Sequence, residues 1–356
     1  MQEQDSNVAY EYVLKTYPRG QEETHPIGNS CNRPWKTATI DMYTNCMLCV
    51  CDGWLPMTVG EITDFQNLED IWRNPKAVEI QNNVAEKKFT WCAVEHCGIK
   101  HQNNYEDKYQ LVFGIDDSCN LQCPSCRREK RMHDSGPMYE KKLKAVQHAT
   151  ELLNKFEPRI HIVLACSGDP LASHIYRPFL HSYRGTDNQT FTLFTNGLLI
   201  KKQLEKTALL DRITEFRISI DAGSEDVYRQ VRVGGQWHVL MENFDYLREQ
   251  KLADLTNLVY VVQKNNYTDI PNFVNLCKKY NFRGILAHLD DWGTWNRDTV
   301  KYPDAWTIKN GTFREHNILD SNHELYEQCQ TVVKSVINTR GINLTPRLKQ
   351  LLQLYN

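Results

Sequence analysis

From about residue 108 onward, apolar runs of strand length alternate with runs that have helical periodicity. Helical spacing of apolar residues occurs within 143–156, 201–210, 236–250 and 270–280. This alternation predicts parallel strands joined by crossover helices. Six βα units fit an open barrel or a doubly wound sheet, and periodicity alone does not choose between them. The predicted strands are 110–115, 160–165, 190–195, 215–220, 257–263 and 284–289.

The cysteines are concentrated in the first third of the chain. Nine of the 12 lie between residues 31 and 126 of a 356-residue chain. The N-terminal sequence is polar and acidic and has no secretory signal, so we expect a cytoplasmic location, where clustered cysteines indicate metal binding or catalysis more often than disulfides. The apolar runs fall short of the roughly 20 residues that a membrane helix needs. The net charge of −2 indicates no strong attraction to nucleic acid.

Three cysteines follow the first predicted strand closely. Cys119, Cys123 and Cys126 have the spacing C-x3-C-x2-C, and short loops with such spacings bind iron–sulfur clusters through thiolates. Three ligands leave one iron open for a cofactor, and S-adenosylmethionine can chelate that iron. A zinc site and three unrelated thiols are the alternatives. The position favours a cofactor site, because active sites of parallel barrels lie at the strand C-termini.

The three-cysteine loop resembles the signature of the radical SAM superfamily, and the resemblance extends over residues 108–292. It implies an α/β fold, a partial (β/α)6 TIM-like barrel, with a [4Fe–4S] cluster on Cys119, Cys123 and Cys126. It also implies that the cluster reductively cleaves S-adenosylmethionine to methionine and a 5′-deoxyadenosyl radical, which abstracts hydrogen from a substrate.

The resemblance further implies a set of cofactor contacts at the ends of the strands. The segment 167–170 is similar to the family's Gly-Gly-Glu-Pro segment, which holds the methionine amino group, but departs from it at Ser167 and Asp169. An alternative for Asp221 is simple capping of the next helix. The implied contacts are Ser167, Gly168, Asp169, Pro170, Thr195, Asn196, Ser219, Asp221 and Gln263.

The remaining N-terminal cysteines form a second group. Their surroundings, including the LEDIW segment, resemble the auxiliary iron–sulfur domains called SPASM or twitch, although this module normally follows the barrel. A structural zinc site is the alternative. Cys46 is predicted to be spare. The resemblance implies an auxiliary iron–sulfur cluster on Cys31, Cys49 or Cys51, Cys92 and Cys97.

Four regions follow from these patterns: a polar leader 1–30, a SPASM/twitch-like domain 31–103, a radical SAM barrel 108–299, and a C-terminal extension 300–356 that ends in a helix. Polar and aromatic residues after the sixth strand are candidates for a substrate cleft or an ordinary loop. They are His288, Asp290, Asp291, Trp292 and Trp295.

The predicted function is radical modification of a substrate, with a peptide or protein as the leading substrate class. Modification of a carbohydrate or nucleotide is the second hypothesis. A non-catalytic metal-binding or electron-transfer protein is the third. The enzyme hypotheses imply a low-potential electron donor such as flavodoxin or ferredoxin as a partner.

Overall fold

The computed structural model describes residues 31–49, 57–92, 108–165, 168–291 and 305–354. The predicted leader and several predicted site residues lie outside this described part: Cys51, Cys97, Ser167, Trp292 and Trp295. The chain divides into two compact units. The first contains the described residues of Met1–Asp117, His133–Ser167 and His174–Thr192, and the second those of Ser118–Met132, Gly168–Ser173 and Leu193–Asn356.

The strands closely follow the predicted runs from residue 109 onward, and short strands precede and follow them. The strands are β1 (Thr37–Ile40), β2 (Asn45–Leu48), β3 (Thr58–Glu61), β4 (Tyr109–Phe113), β5 (Ile160–Leu164), β6 (Gln189–Thr195), β7 (Ile213–Ser219), β8 (Thr256–Val261), β9 (Arg283–Ala287) and β10 (Ile342–Leu344).

Helices occupy the connections between the strands from β3 onward. The described α-helices are α1 (Arg33–Lys36), α2 (Asp70–Arg73), α3 (Pro75–Ala85), α4 (Gly136–Lys155), α5 (Arg177–Ser182), α6 (Ile200–Leu204), α7 (Glu225–Val231), α8 (Trp237–Glu249), α9 (Ile270–Tyr280), α10 (Ala305–Asn310), α11 (Phe313–His316), α12 (Tyr326–Val336) and α13 (Pro346–Leu351). Short 3-10 helices span Ile62–Asp64, Leu210–Arg212, Ala253–Leu255 and Tyr267–Asp269. Within the described residues, none of the helices is long and apolar enough to cross a membrane.

In the first unit, the cysteine-rich segment is joined to the start of the parallel strands. Strands β3, β2 and β1 pair antiparallel in that order, and β1 continues into parallel pairing with β4, which pairs in parallel with β5. The Trp72 ring lies 4.9 Å from that of Tyr109, which lies 5.2 Å from that of Phe156. Backbone pairing and aromatic packing therefore both fix the N-terminal segment against β4.

In the second unit, β7, β8, β9 and β10 pair in parallel, each with the next. Helix α9 packs on one face, where the Tyr260 and Phe273 rings are 4.8 Å apart. Strand β10 comes from the predicted C-terminal extension, and the extension ends in helix α13 as predicted. The predicted fold class is confirmed: an α/β fold with parallel βα units and a small cysteine-rich region on its N-terminal side. The domain boundaries stay a prediction.

Candidate cluster and cofactor site

The three-cysteine loop is anchored at both ends within the second unit. The Cys119 amide donates to the Arg131 carbonyl oxygen at 2.8 Å, which closes the loop on itself. The Gln122 amide donates to the carbonyl oxygen of Val233 at 2.9 Å. The second of these bonds holds the loop against the segment that follows α7, so the backbone itself positions the cysteine loop.

Each of the three sulfurs has a nitrogen donor close by. Cys119 and Cys123 are buried, whereas Cys126 is exposed. Hydrogen bonds to a sulfur stabilise its thiolate form, which is the form that binds iron. The pairs are Cys119 Sγ with Asn196 Nδ2 at 3.9 Å, Cys123 Sγ with Arg232 Nη1 at 3.8 Å, and Cys126 Sγ with Arg127 Nη2 at 3.7 Å.

Burial makes the two inner thiols poor acids by themselves. It raises the pKa of Cys123 to about 12, although the Arg232 guanidinium opposes the rise. Burial also raises the pKa of Cys119, and the Asp169 carboxylate adds to that effect. Thiols with raised pKa values ionise at neutral pH only when a metal compensates the charge, so this donor set suits thiolates bound to iron.

Asp169, predicted to contact the cofactor, organises the neighbouring turn. Its carboxylate accepts hydrogen bonds from the Asn196 amide at 2.7 Å, from Thr195 Oγ1 at 3.0 Å and from the Leu171 amide at 2.9 Å. Burial raises the pKa of Asp169, while the bond from the Asn196 amide is the largest effect that lowers it. Asp169 therefore fixes Thr195 and Asn196, and Asn196 in turn reaches Cys119.

Asp221 takes part in an ion pair rather than capping the next helix. Its Oδ2 lies 2.6 Å from Arg232 Nη2, and its Oδ1 accepts from the Val261 amide at 2.7 Å. The N-cap of α7 is Ser224, whose amide donates to Asp269. Sequence reasoning missed Arg232. The available indication was the segment RQVRVGG, in which an arginine follows α7 before two glycines.

The buried polar atoms of the second unit that have no hydrogen-bond partner among the described residues include Gln263 Nε2, Arg232 Nε and Tyr228 Oη. An unsatisfied buried polar group costs about 1–3 kcal/mol, so such groups need a partner. S-adenosylmethionine offers a carboxylate, an amino group and ribose hydroxyls. The donors therefore fit a polar cofactor beside Cys123.

Three other residues predicted to contact the cofactor lie at or shortly after the ends of β5 and β7. Pro170 is buried, and Gly168 and Ser219 are half-buried. Cys277 and Cys329 are buried core residues, and burial raises the pKa of each to about 12. At the end of β9, His288 Nε2 lies 3.2 Å from Asp290 Oδ1.

The acidic pair that precedes Cys119 in the chain belongs to the first unit and was not predicted. Lys142, almost fully buried, lies 2.5 Å from Asp117 Oδ1 and 3.4 Å from Asp116 Oδ1, and His133 Nε2 lies 2.8 Å from the same Asp117 oxygen. Because the lysine ammonium already supplies positive charge, this arrangement is an ion-pair network rather than a vacant cation site.

The described auxiliary cysteines are Cys31, Cys49 and Cys92. The Cys49 amide donates to the Thr37 carbonyl oxygen at 2.8 Å, so Cys49 lies where β1 begins, whereas Cys46 pairs with Ile40 where β1 ends. Cys46 lies within β2, whereas Cys49 follows the strand with a positive φ of 70°. The assignment of Cys46 as spare stays a prediction.

Comparison with known proteins agrees with this site. Residues 116–277 match the family model of the radical SAM superfamily, and residues 31–98 match the iron–sulfur cluster-binding domain SPASM. The GTP 3′,8-cyclase of Alkaliphilus metalliredigens is 29% identical over 172 residues, which cover 47% of this chain and 51% of the relative. That of Clostridium botulinum (strain Okra) is 24% identical over 176 residues, covering 48% and 53%. The chain thus spans about half the length of these curated relatives.

Solved structures resemble the chain at low sequence identity. Streptococcus suis SuiB bound to S-adenosylmethionine is 16% identical, with a TM-score of 0.41, covering 69% of this chain and 50% of its own. The structure of anSMEcpe with bound AdoMet and the Cp18Cys peptide is 16% identical, with a TM-score of 0.44, covering 66% and 62%. The matches to the radical SAM and SPASM domains confirm the predicted iron–sulfur and S-adenosylmethionine cofactors. The chain thus contains a radical SAM superfamily domain at residues 116–277, with a SPASM iron–sulfur domain at residues 31–98 on its N-terminal side.

Proposed function

We propose that Cys119, Cys123 and Cys126 hold a [4Fe–4S] cluster and that the chain binds S-adenosylmethionine beside it to generate a radical on a substrate. When bound there, the cluster and S-adenosylmethionine supply a 5′-deoxyadenosyl radical that takes a hydrogen atom from the substrate. The observation that carries the proposal is the conjunction of a pre-anchored thiol loop with buried donors that have no partner among the described residues.

The surrounding residues have distinct roles in this proposal. Arg232 places a permanent positive charge 3.8 Å from Cys123 Sγ, where it attracts anionic groups of both thiolate and cofactor. Asp221 orients that guanidinium. Asp169 fixes the turn that carries Asn196, and the buried Gln263 amide is a further donor for the cofactor.

The direct test is cofactor cleavage by the anaerobically reconstituted protein. We expect dithionite and S-adenosylmethionine to yield 5′-deoxyadenosine, detected by chromatography, and S-adenosylmethionine to perturb the electron paramagnetic resonance of the reduced cluster. Cys123→Ala should abolish both effects. Cys277→Ala, which removes a buried thiol from α9, is the matched control and should retain them.

A wild-type protein with full iron and sulfide that neither cleaves S-adenosylmethionine nor shows a spectral change on adding it would overturn the proposal. The electron-transfer hypothesis would then be preferred. The spectral measurement is included because cleavage in some systems requires the substrate, whereas binding to the open iron does not.

We further propose that Cys31, Cys49 and Cys92, with Cys97 as the fourth ligand, hold the auxiliary cluster. Four thiolates close all four positions, which suits electron relay rather than substrate ligation. The variant Cys49→Ala should lose about half of the bound iron while the signal of the first cluster persists. Cys46→Ala is its matched control, and iron loss from that variant instead would reassign the ligand.

The substrate class is proposed from relatives and from the sequence. The curated relatives are named GTP 3′,8-cyclases, which favours a nucleotide, whereas the resemblance to SPASM enzymes led to a peptide as the first hypothesis. Substrate-dependent stimulation of 5′-deoxyadenosine formation by GTP, compared with that by peptides, separates the two. A low-potential donor such as flavodoxin or ferredoxin is proposed as the source of electrons.

A further inference from the structure

Strand β7 presents a row of polar side chains on the face opposite its helices. Ile218 is fully buried, and a Cβ added at Gly197 would meet both Ile218 and Leu240 of α8, so Ile218 faces the helical layer. Because side chains alternate along a strand, Glu215, Arg217 and Ser219 point to the other face. That face therefore carries a charged residue next to the Ser219 contact predicted for the cofactor or substrate.

The Arg217 side chain is held firmly by its neighbours. Its Nε donates to Glu215 Oε1 at 2.8 Å, and the same oxygen accepts from Asn257 Nδ2 of β8 at 2.7 Å. The guanidinium carbon lies 5.2 Å from the centre of the Phe194 ring, at the distance of a cation–π contact. Three neighbours from three strands thus orient one guanidinium.

The two terminal nitrogens of the Arg217 guanidinium remain available to a ligand. In the part of the chain that the structure describes, Nη1 and Nη2 of Arg217 have no hydrogen-bond partner, and the side chain is 40% exposed. The two terminal nitrogens of arginine match the two oxygens of a carboxylate or phosphate. An exposed Glu–Arg pair contributes little stability, so the arrangement is poorly explained as a device for holding the fold.

Arg217 lies at a distance along β7 from the residues predicted to contact the cofactor. Ser219 lies two positions, about 7 Å, farther along the strand than Arg217, and Asp221 with its partner Arg232 comes after Ser219. The Arg217 guanidinium therefore lies farther down the strand, away from the cysteine loop, on the face where a substrate would lie beneath the radical.

We infer that Arg217 is a substrate-anchoring residue that binds an oxyanion, either phosphate or carboxylate, on the substrate. This inference rests on the proposed function and adds the class of group that the substrate must carry. Glu215 and Asn257 are positioning residues, because they hold the guanidinium and do not themselves meet the oxyanion.

The test measures binding to the reconstituted holoenzyme by calorimetry. The probes are GTP and inorganic pyrophosphate for phosphate, and an acetylated, amidated glutamate peptide for carboxylate, with guanosine as the uncharged comparison. We expect one oxyanion class to bind and Arg217→Gln to weaken its binding about tenfold or more. Arg217→Lys should recover part of the loss. The matched control is Arg248→Gln, which removes an exposed arginine from α8 near the Tyr280 ring and should bind as the wild type does.

The outcomes are separable from those of the proposed function. Preference for pyrophosphate identifies a phosphate-bearing substrate, and preference for the peptide identifies a carboxylate. Equal affinity of the preferred probe for the wild type and Arg217→Gln overturns the inference, as does binding of guanosine as tight as that of GTP when the peptide is not bound either. If no 5′-deoxyadenosine forms when no probe is present, that result counts only against the proposed function. Calorimetry detects anion binding independently of turnover.

Discussion

Arg232 Nη2 lies 2.6 Å from Asp221 Oδ2, and the same guanidinium reaches Cys123 Sγ through its other terminal nitrogen at 3.8 Å. Burial, the largest single effect, would lower the pKa of Arg232, but the Asp221 carboxylate and further neighbours that include Cys123 together more than offset it, so the pKa is raised above its ordinary value. Burial raises the pKa of Asp221, while Arg232 opposes the rise. The guanidinium therefore remains charged beside the cysteine loop and links it to the end of β7.

Replacing Arg232 should impair cofactor use. We expect Arg232→Ala to lower the rate of 5′-deoxyadenosine formation by at least about tenfold, because a lost charge-assisted hydrogen bond in a buried site corresponds to about 1.5–3 kcal/mol. Arg232→Lys should be intermediate, since a lysine keeps the charge but not the fork of donors. The readout is initial rate against S-adenosylmethionine concentration.

Arg229→Ala provides the matched control for that series. Arg229 lies on α7, one turn before Arg232, but its side chain is 66% exposed and pairs with Glu225. We expect it to behave as the wild type. Equal rates for Arg232→Ala and Arg229→Ala would show that the buried guanidinium has no role in the cofactor site.

The origin of this ion pair shows which parts of the site the sequence could predict. The six strands from residue 109 to 287 were predictable because most of their buried side chains are apolar, and the polar turns after them followed from strand position. Arg232 was not predictable, because its partners Asp221 and Cys123 lie 11 and 109 residues away. Strand β10 was missed because three residues are too few for a periodic pattern.

Replacing Asp169 should loosen the turn that carries Asn196. In Asp169→Asn, an amide group replaces one carboxylate oxygen, so the bond from either the Asn196 or the Leu171 amide is lost and two donors face each other. We expect the free energy of unfolding to fall by about 1–3 kcal/mol and cofactor cleavage to decline with it. Anaerobic denaturation and 5′-deoxyadenosine assays measure the two effects.

The comparison for Asp169 is Asp211→Asn, an exposed aspartate in the same unit. That substitution should change neither stability nor cleavage measurably, because surface positions without partners rarely contribute more than about 0.5 kcal/mol. A stability loss of similar size in both variants would mean that the bonds of Asp169 contribute nothing specific.

Gly223 should tolerate no side chain. A Cβ at this position would lie 1.9 Å from the backbone nitrogen of Phe273, so the N-terminal turn of α9 would have to move. The Gly223 amide also donates to Asp269 Oδ2 at 2.6 Å, and this bond ties the β7 connection to the same turn. We expect Gly223→Ala to destabilise the protein by about 3 kcal/mol or more, measured by chemical denaturation.

Gly341→Ala is the control that distinguishes this steric clash from the backbone strain of a residue with a Cβ at a positive φ. Gly341 has a positive φ of 85° but nothing within 4 Å of the added carbon. Its substitution should cost only about 1–2 kcal/mol, the penalty for a left-handed backbone with a Cβ. If Gly223→Ala were no worse than Gly341→Ala, the close approach of the α9 turn would have no energetic consequence.

His316 should make stability decline in mild acid. Burial lowers its pKa below the ordinary value near 6.5, and the bond between His316 Nε2 and the Asn310 carbonyl oxygen, 2.7 Å long, opposes that shift only in part. Below pH 6.5 the unfolded chain therefore binds a proton at this position that the folded chain does not yet bind. Protonation then favours unfolding, so the stability present above pH 6.5 is lost as the pH falls toward the folded pKa.

The comparison that isolates His316 is the pH dependence of the free energy of unfolding in the wild type and in His316→Gln, measured between pH 7.5 and 5.5. One proton contributes a slope of at most about 1.4 kcal/mol per pH unit. We expect the wild type to have the steeper decline with acid, because glutamine does not titrate and the other groups are common to both proteins. Parallel curves would show that His316 has the same proton affinity in the folded and unfolded chains, and the buried position would then have no effect on its titration.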